Sequence, residues 1–248
     1  MPAGLSSGTV SLVDDAGDAG GPFQSLPLPG SGTVSNSQCS ISGAGSSVTA
    51  AGTALNLTLA ITFTTNFAGN KIVYTAARET SNSSGWQTLG TWNVPGPPVA
   101  GPGVEGMNPA RNGNLGSAYT FSFTDTNGWR DIAVTDVLVN IGLDARQACY
   151  FAFLPAGASS GTVLLVDDAG DAGGPFRAVA VPGSGTASNS PCTISAEGGL
   201  VGGNGNTLAL TLTITFNSNF VGNRVFYLAT RSNGANSGWQ PAGTIGIP

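Results

Sequence analysis

The chain is a tandem duplication, and this constrains its fold more than any other feature of the sequence. Residues 2–95 align without a gap to residues 155–248 at a constant offset of 153, with roughly 55 aligned positions identical. Ser-Ser-Gly-Thr-Val recurs at 6–10 and 159–163, and Val-Asp-Asp-Ala-Gly-Asp-Ala-Gly-Gly-Pro-Phe at 13–23 and 166–176. Ser-Asn-Ser-x-Cys follows at 35–39 and 188–192, and Ser-Gly-Trp-Gln at 84–87 and 237–240. Self-similarity on this scale means two structural units built on one plan.

The copies are not equally complete. Residues 108–153 precede the shared part of the second copy and hold three strand-like segments, Ala118–Asp125, Ile132–Ile141 and Ala148–Phe153. The first copy has no counterpart of them, so residues 1–95 read as a truncated repeat, 96–107 as a Pro/Gly linker and 108–248 as a complete repeat. The natural protein is expected to continue upstream of Met1. A repeat without its opening strands exposes a strand edge and apolar surface, which predicts a homodimer formed through the first repeat.

The local pattern is that of strands. Leu55–Phe63 and Leu208–Phe216 alternate apolar and polar residues with period two, and no stretch carries a capped apolar period of 3.6. Many short strands separated by glycine turns predict an all-β chain of tandem immunoglobulin-like β-sandwiches, the first lacking its N-terminal strands.

Charge narrows the function. Only 8% of residues are charged, with 13 acidic and 8 basic residues giving a net charge of −5, and Lys71 is the single lysine. Phosphate neutralisation needs clustered Lys and Arg, so nucleic acid is not an expected partner. The chain has no histidine, which removes a Ser-His-Asp triad, a Cys-His dyad, a His-ligated zinc and a His general base. Apolar runs are short and broken by Thr or Gly, so no membrane-spanning helix is expected. Ser, Thr, Asn and Gly stand in for charge, as on the solvent faces and turns of secreted β proteins. A secreted or cell-surface location follows, although the first residues lack the basic start and apolar stretch of a signal peptide.

Three cysteines are an odd number for such a setting. If each complete repeat bridges its third strand to a later one, Cys149 pairs with Cys192, and Cys39, aligned with Cys192, lacks its partner. Three free thiols in a reducing compartment are the alternative.

The run Tyr119–Ile132, then Ala148-Cys-Tyr, Val163–Gly170, Ser188-Asn-Ser-Pro-Cys192 and Ser237-Gly-Trp-Gln240, resembles a repeat module of environmental bacteria. Such modules occur in long, secreted, multi-domain surface proteins, notably of soil acidobacteria, and are similar to bacterial immunoglobulin-like domains. The resemblance covers the whole second unit and the first from its middle. It implies a sandwich fold and an extracellular setting, and no catalytic residues. The chain departs from the pattern in having Asp14-Asp15 and Asp18, where one acidic residue is usual.

Four constellations could carry chemistry. Asp14, Asp15 and Asp18 recur as Asp167, Asp168 and Asp171, and three carboxylates at a glycine turn offer hard oxygen ligands, for which calcium is the fitting ion. Strand alternation sends adjacent Asp residues to opposite faces, so a polar β-turn with Asp side chains bonded to backbone amides is the plainer reading. Asp125-Thr-Asn-Gly-Trp-Arg-Asp131 reads as an Asx turn, with calcium again the alternative. Trp86 and Trp239 could stack on a glycan, although recurrence in identical context favours a plug closing the sandwich. No serine sits in Gly-x-Ser-x-Gly, and without His any nucleophile would need a carboxylate or a metal. The expected function is therefore a structural or adhesive module, calcium-stabilised where the Asp turns hold the ion. The alternatives are a metal-assisted hydrolase of ester, phosphoester or glycosidic substrates built on the Asp turns, and a carbohydrate-binding module.

Overall fold

The computed structural model describes residues 6–248. Among them the chain is all-β, its helical pieces being two 3-10 turns at Thr65–Phe67 and Trp129–Asp131. It forms two compact units, one ending at Gly69 and including Asn93–Pro97, the other made of Asn70–Trp92 and Pro98–Pro248.

The first unit contains β1 (Gly8–Val13), β2 (Phe23–Leu28), β3 (Thr33–Ser35), β4 (Cys39–Ala51) and β5 (Ala54–Phe63). β1 pairs with β2, and β3, β4 and β5 form a three-stranded antiparallel sheet. Their shared core is small: Leu26, Leu28, Val34, Ile41 and Val48, with Val10, Leu12 and Leu59 packed against it. β6 (Gly69–Thr75) and β7 (Gln87–Val94) follow as a two-stranded sheet.

The second unit continues with β8 (Pro102–Asn108), β9 (Arg111–Asn112), β10 (Gly116–Asp125), β11 (Ile132–Asn140), β12 (Cys149–Gly157), β13 (Ser160–Val166) and β14 (Phe176–Val181). It is completed by β15 (Thr186–Ser188), β16 (Cys192–Asn204), β17 (Thr207–Phe216), β18 (Gly222–Ser232), β19 (Ala235–Asn236) and β20 (Gln240–Ile247). One sheet runs β15-β16-β17-β10-β8 and the other β14-β13-β12-β11-β18-β20-β9, with β19 on β18. Alternation along β10 sends Tyr119, Phe121 and Phe123 inward and Thr120, Ser122 and Thr124 outward, because successive strand side chains take opposite faces. The inward side chains of both sheets form one core, in which Phe121 meets Phe151 edge-on at 5.9 Å and Tyr119 lies 5.0 Å from Phe226. The arrangement is sandwich-like, and Cys149 of β12 is disulfide-bonded to Cys192 of β16.

Part of the stretch whose composition reads as linker is strand β8, bonded along β10 with Val104 opposite Phe123. Val104 and Met107 pack against the core, which offsets the poor strand propensity of the surrounding Pro and Gly. A second apolar cluster, on the other face of the larger sheet, contains Leu138, Ala148, Tyr150, Val166, Val225 and Tyr227. Ile72 of β6 packs against it, Asn223 donates to Gln87 Oε1 at 3.0 Å and Thr91 donates to the Ala242 carbonyl at 3.2 Å. The β6–β7 hairpin is thus held by the second unit although its sequence belongs to the first copy.

Strand boundaries repeat at the offset of 153: β4 matches β16, β5 matches β17, and β7 matches β20 residue for residue. The surroundings do not repeat. β17 has β16 on one edge and β10 on the other, and β13 lies between β12 and β14, whereas among the described residues β5 pairs only with β4 and β1 only with β2. Leu208, Leu210 and Ile214 are fully buried; their equivalents Leu55, Leu57 and Ile61 are 51%, 53% and 38% exposed. Leu210→Ala should therefore destabilise the second unit by about 2–5 kcal/mol, as large-to-small core changes do, while Leu57→Ala changes stability by less than about 0.5 kcal/mol. Urea unfolding of the two variants checks this, and equal losses would contradict it.

Candidate functional site

The Asp turns are the most chemically loaded feature common to both copies, and five of their six carboxylates accept backbone amides. Asp14 Oδ1 accepts the Ala16 amide at 3.1 Å, and Asp167 Oδ1 accepts the Ala169 amide at 3.1 Å. Asp15 accepts both the amide and the hydroxyl of Ser37, at 3.1 and 2.9 Å. Asp168 repeats this with Ser190, whose amide lies 3.0 Å from Oδ1 and whose hydroxyl donates to Oδ2. Asp171 Oδ1 accepts the Gly173 amide at 3.1 Å. The bonds of Asp14, Asp167 and Asp171 are Asx-type, a polar side chain closing its own turn, whereas those of Asp15 and Asp168 reach a serine 22 residues on. No group of three or more Asp, Glu, Cys or His side chains converges as metal ligands among the described residues. Asp14, Asp15, Asp167, Asp168 and Asp171 are therefore neighbours in sequence whose carboxylates serve separate partners.

In the second copy the turn is also a seat. The Gln147 amide donates to the Asp168 carbonyl at 2.9 Å, and the Ala145–Arg146 backbone passes so close to Gly170 that a Cβ there would overlap it. At Gly17, the counterpart of Gly170, the space is open. A cavity of about 420 Å³ lies between Leu12, Asp14, Asp15, Gln24 and Asn36, and the equivalent residues of the second copy line one of about 80 Å³.

The Ser-Asn-Ser-x-Cys motif sits beside this cavity. Asn36 Oδ1 accepts the Cys39 amide at 3.0 Å and its Nδ2 donates to the Val13 carbonyl at 3.1 Å. Asn189 makes the same bonds to Cys192 and Val166, and a further one to the Ala148 carbonyl at 2.9 Å. Cys39 is a free, half-buried thiol, pushed above its usual range by burial and then by the nearby Asp15 charge. The role of Asn36 was not singled out from sequence; its recurrence beside each cysteine was the available signal.

The tryptophans part company. In both copies the motif serine closes the turn alike: Ser84 accepts the Ala77 amide and Ser237 the Thr230 amide, at 2.9 and 3.0 Å. Trp239 is half-buried and stacks edge-on against Tyr150 at 5.9 Å, whereas Trp86 is 69% exposed. Trp129 is buried over Gly203, where a Cβ would overlap its ring. Asp125 is fully buried; its Oδ1 accepts the Asn127 amide at 2.8 Å and its Oδ2 has no hydrogen-bond partner.

A buried acid that sequence reasoning missed is Asp136 on β11. Tyr150 donates to its Oδ1 at 3.3 Å, and Arg231 lies 3.4 Å from Oδ2. A single aspartate inside an apolar strand gives no pattern, so only the fold reveals this contact. The chain matches no family model, no curated protein and no solved structure, so the site is read from its own geometry.

Burial raises the Asp136 carboxyl above its ordinary value, with Arg231 and the Tyr150 hydroxyl opposing. A raised folded-state pKa gives stability that is full below the unfolded-state value and is lost as pH climbs through the folded-state value. Asp136→Asn cannot lose that contribution. Its stability relative to the native chain should therefore increase as pH rises from about 4, the ordinary carboxyl range, and then level off. Urea unfolding at a series of pH values reads this, and a pH-independent difference would contradict it.

Proposed function

We propose that the chain is a structural or adhesive module of tandem immunoglobulin-like β-sandwiches from a secreted or cell-surface bacterial protein. The observation that carries this reading is the use made of the acidic cluster that the duplication repeats. Asp15 and Asp168, the carboxylates best placed to act as acids, bases or ligands, each hold the amide and hydroxyl of one serine. An acid–base pair for glycoside cleavage needs two carboxyl groups facing each other across a cleft, and a hydrolytic metal needs convergent ligands with an open position. The Asp turns supply backbone closure instead. The Cys149–Cys192 bridge and the aromatic core suit a module that must stay folded outside the cell, where disulfides persist.

The test is turnover. The full chain, with calcium and with a chelator, should hydrolyse chromogenic ester, phosphoester and glycoside substrates no faster than buffer, and Asp168→Asn should lower the melting temperature alone. Chelator-sensitive turnover that disappears in Asp168→Asn would overturn the structural reading in favour of a metal-assisted hydrolase.

A further inference from the structure

Four Asn-Gly pairs occur in the chain, at 112–113, 127–128, 204–205 and 233–234, and a glycine leaves its own amide nitrogen unshielded by a side chain. In such a pair that nitrogen can attack the asparagine side-chain carbonyl carbon and close a five-membered imide. The surroundings of the four pairs are not alike.

Asn112 ends β9, which runs parallel to β20 with Asn112 opposite Ile245. Its Oδ1 accepts two consecutive amides, Gly113 at 2.7 Å and Asn114 at 3.0 Å, and its Nδ2 donates to Ser117 Oγ at 2.6 Å. The carbonyl oxygen thus sits between two N–H groups, an arrangement that stabilises charge developing on oxygen. The contact with Gly113 also sets that nitrogen beside Cγ, one carbonyl bond from Oδ1. Gly113 is exposed, so solvent base reaches its N–H.

The other pairs are arranged differently. The Gly128 amide donates to the Asp125 carbonyl at 3.0 Å, and Asn127 Nδ2 donates at 3.1 Å to Asp131, a carboxylate with no proton to give a leaving amine. Asn204-Gly205 and Asn233-Gly234 lie at two-residue hairpin turns between paired strands.

We propose that Asn112-Gly113 is a self-modification site, at which the Asn112 side-chain amide becomes a carboxylate through a cyclic imide. Hydroxide removes the Gly113 N–H proton, the nitrogen bonds to Cγ, and the carbonyl electron pair moves to Oδ1, where the Asn114 N–H holds it. Return of that pair breaks the Cγ–Nδ2 bond; Nδ2 takes the Ser117 hydroxyl proton and leaves as ammonia, and water reprotonates Ser117. A second water then opens the imide, placing its hydroxyl on one carbonyl carbon and its proton on the Gly113 nitrogen. Attack at the side-chain carbonyl gives aspartate, and attack at the main-chain carbonyl gives its β-linked isomer. The surroundings suit the product. The Tyr119 hydroxyl is buried without a hydrogen-bond partner and faces the Asn112 amide. An NH2 group offers the Ser117 and Tyr119 hydroxyls no acceptor, whereas a carboxylate oxygen in its place accepts from both.

The test is peptide mapping by mass spectrometry of the full chain held at mildly alkaline pH. The Asn112 peptide should lose ammonia and then gain water on the order of tenfold faster than the Asn127, Asn204 and Asn233 peptides. Urea should abolish that spread, because the unfolded pairs share one local chemistry. Gly113→Ala, whose Cβ would meet only the Gly246 carbonyl oxygen at 4.0 Å, keeps the fold and shields the nitrogen, so it should slow the Asn112 reaction by a similar factor. Asn112→Asp should melt at a higher temperature than the unreacted chain. Equal rates at the four pairs in the folded chain, an Asn112 rate that rises on unfolding, or an Asn112→Asp chain that melts lower would each overturn the proposal.

Discussion

The insertion of β10, β11 and β12 into the repeat is the contact on which the rest of the second unit depends. β10 extends the sheet of β16 and β17, β12 and β11 join β13 to β18, and the Cys149–Cys192 bond ties the two layers together. Tyr119, Phe121 and Phe123 are fully buried by this insertion. At about 1.5–3 kcal/mol for each large apolar side chain removed from water, three of them rival the net stability of an ordinary domain, about 5–15 kcal/mol. The same inserted segment explains why β17 is a core strand while β5, nearly the same sequence, is half in water.

With so few charges, the chain stabilises its turns by short polar side chains bonded to the backbone. Asp14, Asp15, Asp167, Asp168 and Asp171 all do this, as do Asn36 and Asn189 beside the cysteines. Such bonds act locally and survive changes of salt better than surface ion pairs do, whose energy is screened. An exposed bidentate pair, Asp144 with Arg146, lies in the loop that rests on the second Asp turn and holds the Asp144 carboxyl down at about 2. Loop and turn thus form one continuous polar lining at that end of the second unit.

What could be read from sequence was whatever is local or repeated. The alternation in β5 and β17, the Asx turns and the all-β class follow from period and turn chemistry, and the offset of 153 holds strand by strand. The Cys149–Cys192 bond followed from cysteine arithmetic, conditionally on a complete repeat. Long-range placement could not be read. Trp86 and Trp239 sit in the same four-residue motif, yet Trp239 meets Tyr150 of β12 while Trp86 is exposed, and no local pattern separates the two. β8 was hidden because its proline and glycines disguise Val104 and Met107, whose burial is decided by β10. Ile72 joins a cluster of second-unit residues that no local pattern connects to it.

Native-state hydrogen exchange compares the two copies most directly, since β5 and β17 serve as each other's control. The amides of β17, bonded on both edges, should exchange only through global unfolding of the second unit, and those of β5, which among the described residues is paired along one edge, should exchange orders of magnitude faster on the other. Matching protection along Leu55–Phe63 and Leu208–Phe216 would contradict the claim that the inserted segment, and not the repeated sequence, completes the sandwich.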